Sequence, residues 1–152
     1  MKDGKYVEGP NELPGSLSGF QKFLRYWLPA LIYITLIFSF SSIPKLPIPA
    51  KIPHIDKVLH FLEYFVFGLI LGRGVMNSFT LRGSLAACSV AVGLGALTGA
   101  GDEYFQRSVP GKVSSVYDFT ADVVGLVVAQ LVLIKVRAMW HKRKGTEMSR
   151  LA

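Results

Sequence analysis

Four apolar stretches divide the chain. Residues 24–43, 55–75, 83–101 and 116–136 are each dominated by aliphatic, aromatic and small side chains, and each comes close to the roughly 20 residues of helix that cross the hydrocarbon core of a bilayer. The pattern predicts an all-α fold, an integral membrane bundle of four transmembrane helices. More than twenty mostly polar residues precede the first stretch and no small-x-small site closes it, so it reads as an anchor rather than a cleaved signal. Residues 1–19 hold Gly4, Gly9, Pro10, Pro14, Gly15 and Gly19 without apolar periodicity, as a flexible tail does. The expected organisation is an N-terminal tail (1–23), a four-helix membrane domain (24–137) and a basic C-terminal tail (138–152). Pro44, Pro47, Pro49 and Pro53 predict an extended connection between the first two helices, because proline fixes φ and removes a donor.

Within the apolar stretches small residues recur at helical spacing. Ala87, Ala91, Gly95 and Gly99 fall every fourth residue, as do Ala121, Gly125 and Ala129, and Gly68 and Gly72 form a shorter pair. Such stripes let helix backbones approach closely in lipid, where dispersion rather than water exclusion holds helices together. The second, third and fourth helices are therefore expected to cluster tightly. Pro29 is placed near the start of the first helix, where its missing N–H is tolerated.

Composition agrees with this class. Of 152 residues, 51% are hydrophobic and 18% charged, a balance that argues for one membrane domain and against an ordinary soluble enzyme. The formal charge is +7, but the basic residues border the apolar stretches instead of lining one soluble face, so nucleic acid is not the expected partner. Lys2, Lys5, Lys22, Arg25, Arg73, Arg82, Lys135, Arg137, Lys142, Arg143, Lys144 and Arg150 fall on one side of the bundle; Lys45, Lys51, Lys57, Arg107 and Lys112 fall on the other. Twelve against five places both termini in the cytoplasm by the positive-inside rule. The stretch 102–122 then faces outward. Cys88 is the single cysteine, so no intramolecular disulfide forms.

Candidate chemistry concentrates at that outward end. Asp56 is placed to cap the second helix, and His60 and Glu63 follow on the same helical face. Ser115-x-x-Asp118 resembles a capping box for the fourth helix. Asp122 lies seven residues past Ser115, as Glu63 lies seven past Asp56, which sets both acids roughly 10 Å inside their helices. The third helix ends at the same surface with Asp102, Glu103, Gln106 and Arg107. Glu103 and Arg107 are spaced for an i, i+4 ion pair, whereas Asp118 and Asp122 repel at that spacing unless Lys57, Arg107, Lys112, a proton or a bound cation relieves them. Ionisable groups inside a membrane helix are costly and mark function; the competing reading is a closed network that only holds the bundle in register. His60 and Glu63 resemble one arm of a bundle-type carboxylate metal site. With His54 in a loop and His141 at the opposite end, no ligand set is completed, so no metal is assigned and the cofactor is left open. No phosphate loop, nucleophile elbow or cysteine cluster is present.

The three polar segments, Asp56-Lys57-x-x-His60-Phe61, Asp102-Glu103-x-x-Gln106 and Pro110-Gly111-Lys112 followed by Asp118-x-x-x-Asp122-x-x-Gly125, occur in the order of the VanZ-like family of bacterial membrane proteins, and the chain resembles that family over residues 55–130. Carried over by position, the family's polar residues are Asp56, Lys57, His60, Asp102, Glu103, Gln106, Asp118 and Asp122. Lys112 stands where the family usually has Arg, and Asp122 where Asn is common. The resemblance implies a multi-pass protein of the bacterial cytoplasmic (inner) membrane, linked to the cell envelope and to reduced susceptibility to the glycopeptide teicoplanin.

The expected function is an outward polar site that binds or acts on an envelope lipid or a lipid-linked headgroup. His60, Glu63, Glu103 and Asp122 are the candidate catalytic groups, with His60 or an acid as general base. Lys57, Asp102, Gln106, Arg107, Lys112 and Asp118 are the candidate headgroup contacts, and Asp56 and Ser115 the structural caps. A non-catalytic structural or assembly protein is the alternative. An ion or proton carrier is a third reading, disfavoured by four helices without an inverted repeat. Oligomeric state is not legible.

Overall fold

The computed structural model describes residues 17–44, 54–79 and 84–151. It contains four long helices: α1 (Gly19–Ser41), α2 (Ile55–Ser78), α3 (Ser84–Gln106) and α4 (Val116–Leu151). No strand occurs among the described residues. All four helices are long and apolar enough to cross a membrane. The expected tail over 1–16, the proline-rich connection over 45–53 and Arg82 lie outside the described residues.

Helix α1 starts at Gly19, inside the segment assigned to the tail. The reason is a capping box: Ser18 Oγ accepts the Gln21 N–H at 3.2 Å, and Gln21 Oε1 accepts the Ser18 N–H at 3.0 Å. Pro29 therefore falls mid-helix and not near its start. The turn before it, Phe23–Trp27, is π-helical, with Leu28 donating to the Phe23 carbonyl five residues back. Such a widened turn is one way a helix absorbs an interruption of its hydrogen-bond ladder.

Helices α2 and α4 form the most extensive pair, with α3 packed against both. Backbones meet at the glycines: a Cβ on Gly68 would stand 2.8 Å from the Ala129 Cβ, and one on Gly125 would stand 2.9 Å from the Phe65 nitrogen. On α3 the buried face is the expected stripe, Ala87, Ala91, Gly95 and Gly99, continued by Asp102, Glu103 and Gln106. Leu126 of α4 fills the hollow beside Gly95. The core is completed by Ile37, Tyr64, Phe67, Leu71 and Val75. Helix α1 covers this core from outside, held by the Trp27 indole donating to Ser78 Oγ at 2.8 Å and by Tyr33 stacked on Phe67.

Large apolar side chains also cover the outside of the bundle, among them Leu31, Ile32, Leu36, Leu62, Val66, Leu97 and Leu131. An apolar surface of that extent is what lipid contact requires. Helix α4, at 36 residues, is about 54 Å long and outruns a hydrocarbon core of about 30 Å. Its last turns carry the basic run expected as a tail, so residues 138–151 are helical. There the Lys144 ammonium sits over the Trp140 ring at 4.6 Å.

Candidate functional site

The polar end of the bundle lies where α1 and α3 finish and α2 and α4 begin. His54, in the left-handed region at φ 62°, turns the chain into α2 and stands at its N-cap. Asp56 is therefore inside the first turn and does not cap the helix. Its Oδ2 instead accepts from Lys57 Nζ at 2.7 Å, and the same ammonium reaches Asp118 Oδ1 at 3.1 Å. Lys57 thereby ties α2 to α4.

At the start of α4 the expected capping box is half built. Ser115 Oγ accepts the Tyr117 N–H at 3.2 Å, so Ser115 is a cap. Asp118 does not complete the box, because Lys57 holds it. The Ser115 N–H goes to Glu103 Oε2 at 2.8 Å, so α3 supplies the missing acceptor. Glu103 consequently does not pair with Arg107, whose Nε points to Ser114 Oγ at 3.5 Å. The i, i+4 geometry fails because α3 ends at Gln106, leaving Arg107 in the following turn.

Deeper in, His60 Nδ1 lies 2.9 Å from Asp122 Oδ1. Gln106 donates to Asp102 Oδ2 at 2.9 Å and to Ser41 Oγ at 3.3 Å, linking α3 to α1. Asp102 and Asp122 are fully buried, and Glu103 and Asp118 are 6% and 8% exposed. Three carboxylate oxygens, Asp102 Oδ1, Glu103 Oε1 and Asp122 Oδ2, have no hydrogen-bond partner, and neither does the Tyr64 hydroxyl. Buried polar atoms left unpaired cost roughly 1–3 kcal/mol each, so this concentration of them at one place needs an explanation.

A cavity of about 420 Å³ opens onto this network. Asp56, His60, Glu63, Gln106, Lys112 and Asp118 supply its polar lining, and Phe40, Pro44, Leu59 and Val113 its apolar lining. Lys112 Nζ donates to the Phe40 carbonyl at 3.3 Å, drawing the loop over α1. Glu63 lines the cavity, while Tyr33 binds only its backbone carbonyl, at 3.2 Å. A second cavity of about 280 Å³ is lined by residues of α3 and the start of α4, among them Glu103, Arg107, Ser114 and Ser115. Donor atoms of His60, Glu103 and Asp122 all lie within 4.8 Å of one another.

Of the four candidate catalytic groups, His60, Glu103 and Asp122 thus converge, and Glu63 faces the larger cavity beside them. The sequence reading missed the end of α1 as a contributor: Phe40 and Ser41 of α1, with Pro44 just beyond it, line the cavity. It also missed Tyr64, whose position four residues past His60 was the available signal, and Gly99, where a Cβ would come within 3.3 Å of Asp122 Oδ2. Fold and site together define a bundle of four candidate membrane-spanning helices with a buried acidic network and a polar cavity at one end. No family model, curated protein or solved structure matches the chain.

Proposed function

We propose that this end of the bundle binds the polar headgroup of an amphiphile, an envelope lipid or lipid-linked precursor, at the outer face of a bacterial cytoplasmic membrane. The cavity carries the reading: its lining joins polar side chains to Phe40 and Leu59, which are also exposed on the apolar outer surface of the helices. A ligand with one polar and one apolar end matches that boundary. Lys112 is the cation in the cavity lining for an anionic group, and its point charge suits one oxygen at a time, not a bidentate pair. His60, Glu63 and Asp118 face the same space. The resemblance of the polar motifs to the VanZ-like family supports the envelope setting and suggests an effect on teicoplanin susceptibility. The Lys and Arg distribution supports cytoplasmic termini.

Native mass spectrometry of the full chain in detergent tests binding, with phosphatidylglycerol and undecaprenyl phosphate as probes. Retained lipid that weakens in Lys112→Ala and His60→Ala but not in Lys144→Ala, at the opposite end, is the expected result. Equal retention by all variants would sink the reading.

The internal ties favour a second reading, a purely structural network. Lys57 joins α2 to α4, and Gln106 joins α3 to α1. His60→Ala, Glu63→Ala and Glu103→Gln separate the two: loss of folded yield in all three supports structure, whereas normal yield with a lost envelope phenotype supports a site.

A further inference from the structure

We infer that His60, Glu103 and Asp122 bind one divalent first-row transition-metal cation, with a coordination position left for a small ligand. The inference rests on the three side chains and not on the headgroup reading.

Three helices each supply one donor to the same cluster. His60 comes from α2, Glu103 from α3 and Asp122 from α4, and their donor atoms lie within 4.8 Å of one another. The independent observation is the pair of orphaned oxygens. Glu103 Oε1 and Asp122 Oδ2 are buried without a hydrogen-bond partner, although their other oxygens are engaged by the Ser115 amide and His60. One proton can serve one of these oxygens. A divalent ion serves both and balances the two carboxylate charges, whose burial unpaired would cost several kcal/mol each.

The donor set selects the metal. One imidazole and two carboxylates suit zinc, manganese, iron or cobalt, whereas magnesium and calcium prefer oxygen alone. Three protein ligands leave a position open, as in catalytic rather than structural zinc sites. That position is reachable, because His60 lines the larger cavity and Glu103 the smaller one. With an ion bound, His60 is a ligand and not a free base. Glu63, whose spacing from His60 resembles one arm of a bundle-type site, stays outside this cluster, and Glu103 belongs to it.

The test is metal content by elemental analysis of the full chain, purified in lipid-free detergent and equilibrated with Zn²⁺, together with the visible absorption of the Co²⁺ form. About one ion per chain is expected. The isosteric variants Glu103→Gln and Asp122→Asn should lose more than the roughly 10- to 100-fold affinity that loss of a supporting partner alone causes, and Glu63→Gln should keep the metal. Absence of stoichiometric Zn²⁺ from the wild-type chain overturns the inference, as does unchanged affinity in a folded Asp122→Asn. If both variants unfold, X-ray absorption of the wild-type Co²⁺ form decides: imidazole scattering upholds the site and its absence refutes it. Lipid is absent throughout, so a negative result leaves the headgroup reading to its own test.

Discussion

Glu103 Oε2 accepts the backbone N–H of Ser115 at 2.8 Å. The bond spans the Pro110-Gly111 turn and makes the end of α3 an acceptor for the amide of Ser115, the residue that caps α4. A glutamine at this position keeps a carbonyl oxygen for Ser115 and loses the charge; an alanine loses both. Glu103→Gln is therefore expected to melt within about 1 kcal/mol of wild type, and Glu103→Ala to lose about 1–3 kcal/mol through the stranded amide. Thermal unfolding in detergent, followed by circular dichroism, distinguishes them. Equal melting of the two variants would refute the capping role.

The spans and their packing faces were readable because small residues at fourfold spacing have one use in an apolar helix. Ala87, Ala91, Gly95 and Gly99 form the buried face of α3. The acids were located correctly at one end, and Lys57, one of the cations expected to relieve Asp118, does so. The pairs expected from spacing along a single helix are replaced by contacts between helices. Asp118 goes to Lys57 of α2 instead of the Ser115 amide, and Glu103 goes to Ser115 instead of Arg107. Helical spacing describes neighbours on one helix only, so it was silent about Ser41 of α1 reaching Gln106 of α3.

Glycine at 125 is expected to be irreplaceable where glycine at 93 is not. A Cβ at Gly125 meets the backbone of Phe61 and Phe65, which cannot turn aside, while a Cβ at Gly93 meets nothing within 4 Å. Gly125→Ala should lose about 1–3 kcal/mol by pushing α2 and α4 apart, and Gly93→Ala should match or exceed wild type because alanine is the better helix former. Paired melting curves in one detergent check this, and a neutral Gly125→Ala would contradict the packing.

Orientation is open to chemical labelling. Val113, in the turn before α4, is 83% exposed, and the native Cys88 is buried. In a Cys88→Ala background, Val113→Cys should react with a membrane-impermeant maleimide added to intact cells. A fluorescent protein fused after Ala152 should mature in the cytoplasm. Labelling of Val113→Cys only after lysis would reverse the proposed topology and move the polar cavity to the inner face.

Lys57 bridges Asp56 and Asp118 with unequal consequences for its two partners. Asp56 is half exposed and keeps water as a substitute, while the Asp118 side chain is only 11% accessible. Removing the ammonium in Lys57→Met should strand the Asp118 charge. Since the Lys57 side chain is itself one-third exposed, the cost should fall near 1 kcal/mol, well below that of a fully buried pair. Asp118→Asn in the same background should recover most of it, because the amide removes the unpaired charge and keeps the shape. A double-mutant cycle by thermal unfolding measures the coupling. Additive losses would show that the bridge contributes nothing to holding α2 against α4. A coupling of about 1 kcal/mol would identify Lys57 as the group that sets the two helix starts beside the cavity.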